Sequence, residues 1–196
     1  MNIRLITATA VASIAFVSGA FADTAATADV QRDVNQQQRI EQGPKSGQLN
    51  TKEASKLERE ETKVERDQTR ALKDGTVSAQ EQHKLTAEEN KVSRDIYQQK
   101  HDAQTGNPNS ASSQRMQADV QRDVNQQQRI EQGLKSGQVT NREAAKLEHG
   151  QARDTAREAR AGADGHVGAA EQKHIQAAED RQSHRIYRKK HNARIQ

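Results

Sequence analysis

The chain has 196 residues, of which 31% are hydrophobic and 30% charged, with no cysteine and a formal net charge of +4. That balance lies near the border with disorder and excludes one large apolar core, while two small helical domains fit it. The absence of cysteine excludes a disulfide framework and a lipoprotein anchor, so stability must come from helix formation and modest packing.

The N-terminus reads as an export signal. Asn2-Ile3-Arg4 is a short positive region, Leu5 to Val17 an apolar run, and Ala20 and Ala22 occupy the small-residue positions before a cleavage site. The run is too short and too diluted by Thr7, Thr9 and Ser13 to span a bilayer, so residues 1–22 are expected to be a signal peptide cut after Ala22. The mature protein would be periplasmic or secreted. It would keep only Tyr97 and Tyr187 as aromatic residues.

Beyond a short loose tail (residues 23–28) the chain is a duplication. Ala28 to Gly43 reads ADVQRDVNQQQRIEQG, and Ala118 to Gly133 repeats it letter for letter. The copies align without a gap at an offset of 90 positions, with 41 of 76 pairs identical, which marks a tandem repeat. Residues 29–103 and 118–196 are the two units. The Gly-, Asn- and Ser-containing stretch 104–117 between them is expected to be a flexible linker.

Each unit divides into three helical segments. The first runs from about Asp29 to Gln42 with Val30, Val34 and Ile40 as its large apolar residues, and Gly43 before Pro44 is expected to end it. Asn50 with Glu53, matched by Thr140 with Glu143, has the spacing of a capping box and opens the second helix. That helix meets no breaker before Asp74-Gly75, and Glu61 and Gln68 interrupt its apolar seam. Ser78 with Glu81 opens the third, weakened to Gly168 with Glu171 in the second copy. Leu85, Val92 and Ile96 hold one face of that helix, and Tyr97 and Tyr187 are expected to be core anchors with the hydroxyl at the rim. The expectation is an all-α protein of two tandem three-helix, up-down-up units. Asp154 stands where copy one has Val64, and Gly162 where it has Leu72, which predicts that copy two is the less stable unit.

Few residues carry recognisable chemistry. Asp74, Ser78 and Glu81 match the second half of a calcium-binding EF-hand loop, but Arg70 and Leu72 fall where calcium needs oxygen ligands. Five of seven histidines lie in copy two. Glu171 with His174, and His184 with His191, are the remaining candidate metal ligands, without the converging partners that a zinc or copper site needs. From Arg181 the C-terminal segment carries Arg181, Arg185, Arg188, Lys189, Lys190 and Arg194 and no acid, a face suited to anionic surfaces. Nucleic acid is not an expected partner, since stacking aromatics are nearly absent. No nucleophile–base set, no phosphate loop and no cofactor motif is present, so the expectation is a protein without enzymatic activity and without a cofactor.

The recurring pattern QG-x-KSGQ-[LV]-[NT]-x-x-E, then DG-x-V, then IY-x-x-KH, resembles that of a family of small exported proteobacterial helical repeat proteins. The resemblance covers nearly all of both copies. It implies a periplasmic or secreted helical protein and supplies no activity, ligand or site residue. The function expected is therefore binding, in the envelope or in stress response. The alternatives are metal handling (Ca, Zn or Cu) by the histidine-rich copy or the EF-hand-like turns, and binding of anionic surfaces by the basic end.

Overall fold

The computed structural model describes residues 18–192, with side chains from Thr24; most of the expected signal peptide and Arg194 lie outside the described residues. Six helices and no strands make up the described chain: α1 (Ser18–Ser46), α2 (Thr51–Ala71), α3 (Ala79–Lys100), α4 (Ala111–Lys135), α5 (Asn141–Ala161) and α6 (Ala169–Lys190). None of these helices is long and apolar enough to cross a membrane.

The helix starts follow from local chemistry. The side chains of Asn50, Thr140 and Ser78 accept from the backbone N–H of Glu53, Glu143 and Glu81, and each Glu returns a bond to its cap residue. At Gly168 only the second half survives, Glu171 accepting from the Gly168 N–H at 2.8 Å. The helix ends differ from expectation at one place. Helix α1 passes through Gly43 and Pro44, and the left-handed turn glycine is Gly47, at φ +77°. Gly43 is small for another reason: a Cβ there would overlap the Leu49 side chain, and Gly133 stands in the same relation to Val139.

The two copies do not fold side by side. Helix α1 lies along α4 and α2 along α5, the most extensive contacts in the molecule, while α3 rests on α1 and α2 and α6 on α4 and α5. Both apolar clusters are shared. One joins Ile40, Leu49, Leu57, Val92 and Ile96 to Met116, Val120, Ala161, Val167 and Ile175. The other joins Ala26, Val30 and Leu72 to Ile130, Leu134, Val139, Leu147 and Ile186. The end of α1 thus meets the start of α4, and the start of α2 the end of α5, so the pairs run antiparallel about a pseudo-two-fold axis. Each copy alone has too thin an apolar stripe to close a core; two copies laid together close two.

Three expectations change accordingly. The expected loose tail is helical, and Ala26 within it is buried. The expected flexible linker is half helix, since α4 begins at Ala111, and Gly106 N–H donates to the Gly47 carbonyl at 2.8 Å. A Cβ on Gly106 would run into the Leu49 carbonyl, so this connection is packed against the first turn of the protein. Tyr97 and Tyr187 are not core anchors. They are 60% and 56% exposed and stack on His101 and His191, leaving Ile96 and Ile186 as the buried residues of the pair.

Candidate metal centre

Between the two apolar clusters the interior turns polar. The inward stripe of α1 reads Ala26, Val30, Asp33, Gln37, Ile40, and that of α4 Met116, Val120, Asp123, Gln127, Ile130. Along α2 it reads Ala54, Glu58, Glu61, Glu65, Gln68, Leu72, and along α5 Ala144, Glu148, Gln151, Thr155, Glu158, Gly162. Every stripe keeps the 3–4 spacing of a helix seam, with small or apolar residues at its ends and acids, amides or, at Thr155, a hydroxyl in its middle. Asp33, Glu58, Glu61, Glu65, Asp123, Glu148 and Glu158 are all buried there. Among the described residues none of these seven acids makes an ion pair with lysine, arginine or histidine.

Hydrogen bonds satisfy part of the layer. Gln37 Nε2 donates to Glu58 Oε2 at 3.1 Å, and Gln127 Nε2 donates to Glu148 Oε2 at the same distance. The Thr155 hydroxyl lies 3.1 Å from Glu65 Oε1 and 3.2 Å from Asp123 Oδ2, so it can donate to one of them. Gln151 Nε2 donates to Asp123 Oδ1 at 3.4 Å. The rest is unsatisfied: both oxygens of Asp33, Glu61 and Glu158, and the amide carbonyls of Gln37 and Gln127, accept no hydrogen bond. At the flanks the layer is closed by Glu89 of α3, held by Arg32 at 2.7 Å, and by Glu179 of α6, held by Arg122 at 3.2 Å.

The electrostatics follow from this crowding. Burial, and then the neighbouring acids, push the carboxyls of Asp33, Glu61, Glu65 and Glu158 well above their ordinary range. Burial raises Glu58 to about 8, Asp123 and Glu148 to about 7, and Glu179 to about 9. An ionised carboxylate without a partner in such a place costs several kcal/mol. The layer therefore has to be neutralised by protons or by cations.

Glu58 of α2, Asp123 of α4 and Glu158 of α5 can each place a carboxylate oxygen within 4.8 Å of the others, the one such group among the described residues. Three acid oxygens and no sulfur or imidazole make a donor set for a hard cation such as Mg²⁺, Ca²⁺ or Mn²⁺. Neither Glu158 oxygen accepts from a fixed donor, and only a protonated carboxyl would link Glu158 to Asp123.

The candidates read from sequence lie elsewhere. Asp74 Oδ1 accepts from the Thr76 N–H, and Glu81 accepts from the Ser78 N–H and hydroxyl, so the EF-hand-like turn spends these oxygens on local capping. Glu171 caps α6, and His191 stacks on Tyr187, with no metal-type cluster around Glu171, His174, His184 or His191 among the described residues. In the basic segment Lys189 pairs with Glu143 at 3.2 Å, while Arg181 and Arg185 line a groove with Arg153, Arg157 and the buried Asp154. The acid layer was legible as Glu and Gln at seam positions, which read as interruptions of an apolar stripe because nothing local shows that a second copy covers them. No family model, no curated protein and no solved structure matches the chain.

Proposed function

We propose that this chain is an exported, non-enzymatic protein of two repeated three-helix halves that acts by binding, in the periplasm or outside the cell. Its ligand is a hard divalent cation taken into the acid layer at the waist. The metal-handling reading thus moves from the histidines and the turns to the interior. One observation carries it: Asp33, Glu58, Glu61, Glu65, Asp123, Glu148 and Glu158 are buried together, none of them in an ion pair among the described residues, with Arg39 acting on Glu61 only through its field. A cation there relieves the mutual repulsion of the acids and releases the protons that otherwise hold them neutral.

The test is calorimetric titration of chelator-treated protein at pH 7.5 with Mg²⁺, Ca²⁺, Mn²⁺, Zn²⁺ and Cu²⁺, alongside thermal melting. A hard cation should raise the melting temperature and release protons, seen as a dependence of the heat on the buffer. Absence of heat and of any melting shift with all five ions would overturn the reading. A response to Zn²⁺ or Cu²⁺ alone, lost in His174→Ala, would return it to the histidines.

A second reading concerns the basic end, where Arg185, Arg188 and Lys189 line one surface groove next to that of Arg153, Arg157 and Arg181. Anionic phosphatidylglycerol vesicles are the suitable probe. Arg185→Gln with Arg188→Gln should weaken their binding and its salt dependence. Cutting the chain after Asp180 would be a poor test, because it removes the buried Ile186.

A further inference from the structure

The duplication places every waist residue twice, and the two sets are not alike. Under the offset of 90, Asp33 matches Asp123, Glu58 matches Glu148, and Gln37 matches Gln127. Two positions exchange acid for amide. Glu61 on α2 matches Gln151 on α5, and Gln68 on α2 matches Glu158 on α5. Apart from Glu65, which Thr155 replaces in the second copy, each copy holds three acids, and the third stands two turns apart along the helix in the two copies.

That exchange decides where acid oxygens converge. Around Asp123 the acid is at position 158, and Glu58, Asp123 and Glu158 come together. Around Asp33, which also feels the charge of Glu148, the corresponding place is filled by the Gln68 amide, while the acid is Glu61. No three-acid convergence forms there. The first group has a second feature that points to a ligand, one that Gln127 repeats beside Glu148 in the other half. Gln37 donates its amide N–H to Glu58, and its carbonyl oxygen, on a side chain 1% exposed, has no partner. Glu158 is equally buried, with both oxygens unpartnered.

Resting on the cation-binding reading above, we infer that the protein holds one hard divalent cation, ligated by Glu58, Asp123 and Glu158 with the Gln37 carbonyl available as a fourth oxygen. The pseudo-equivalent half-site of Asp33, Glu148 and Gln68 is silent because an amide replaces its third carboxylate. An amide carbonyl still offers a lone pair to a cation, but it brings no charge to offset dehydration of the ion, and affinity at oxygen sites follows ligand charge. The duplication has thus produced one working site and one that lacks a single acid.

The exchange can be reversed without changing the number of buried acids. Glu61→Gln with Gln68→Glu gives the silent half the arrangement of the working one, and Gln151→Glu with Glu158→Gln does the opposite. Binding of Mn²⁺ is counted by electron paramagnetic resonance and calorimetry at pH 7.5, with helical circular dichroism as the check on folding. Wild type should bind one equivalent, the first double variant two. The second should bind roughly ten-fold or more weakly. Retention of wild-type affinity by Gln151→Glu/Glu158→Gln would overturn the location, and a single equivalent in a folded Glu61→Gln/Gln68→Glu protein would overturn the silencing. If wild type binds no Mn²⁺ or other hard cation, it is the underlying function that fails. Should either double variant not fold, the single isosteric pair decides: Glu58→Gln should abolish Mn²⁺ binding and Glu148→Gln should leave it, and equal effects would sink the inference.

Discussion

At the scale of single residues, the divergence between the copies is compensated across the pseudo-two-fold. In one apolar cluster Ala26 sits with Leu72; at the equivalent place in the other, Met116 sits with Gly162. A Cβ on Gly162 would come within 2.6 Å of Met116 Cε and 2.9 Å of Ser55 Cβ, so the methionine occupies the volume that leucine fills in the other half. Loss of the leucine therefore leaves no cavity, and of the two grounds for expecting a weaker second copy only Asp154 in place of Val64 remains. Gly162→Leu should destabilise by about 1–3 kcal/mol through overpacking, and Met116→Ala by about 2–5 kcal/mol through a cavity. The double variant recreates the Ala26–Leu72 pair, so it should lose less than the sum of the two. Urea denaturation of the four proteins measures the coupling, and strict additivity would refute the compensation.

At the scale of elements, the turns do structural work that resembles metal chemistry in sequence. Glu143 accepts from the Thr140 N–H at 3.3 Å, and its other oxygen takes Lys189 at 3.2 Å and Asn192 at 2.7 Å. The cap thereby ties the start of α5 to the end of α6, and these partners offset burial to hold the Glu143 carboxyl below its ordinary value. Thr140→Ala should cost about 1 kcal/mol in urea melts, and Ser78→Ala a similar amount. Neither should alter cation binding, since both oxygens belong to caps outside the acid layer; a loss of metal response in Ser78→Ala would revive the EF-hand-like turn as a site.

At the scale of the whole molecule, shared cores and a shared acid layer make stability a joint property. Both apolar clusters contain residues of both copies, so the protein should unfold in one transition, with no separate melting of residues 118–192. Its pH dependence has a definite sign. Glu58, Asp123, Glu148 and Glu179 have folded pKa values of about 7 to 9, above the ordinary carboxyl range. A carboxyl of this kind binds more protons folded than unfolded, so its contribution is complete below about pH 4 and shrinks as pH rises through the folded values. Asp67, Asp95 and Glu143 are shifted the other way, and their contribution fades only in stronger acid. Chelator-treated protein should therefore melt highest near pH 5 and lowest near pH 9, where excess Mn²⁺ should recover much of the loss. A flat or rising melting temperature between those values would contradict a protonated acid layer.

What the amino-acid sequence determined by itself is local. The six helices, the capping boxes at Asn50, Ser78 and Thr140, and the breaks at Asp74-Gly75 and Asp164-Gly165 all depend on residues within one or two turns of each other. Such contacts form whatever the rest of the chain does. The doubling of the chain was equally plain. What it could not convey was which faces meet. Asp33, Glu58, Glu61 and Gln68 look like surface residues while the partner of their stripe is unknown, and burial is set by helices some 60 to 90 positions away in the chain. Only the antiparallel pairing of α1 with α4 and α2 with α5 turned those interruptions into an interior layer, because neither copy has enough apolar surface to close over itself. The same pairing put Ala26 into a core and brought Glu58, Asp123 and Glu158 together from three helices.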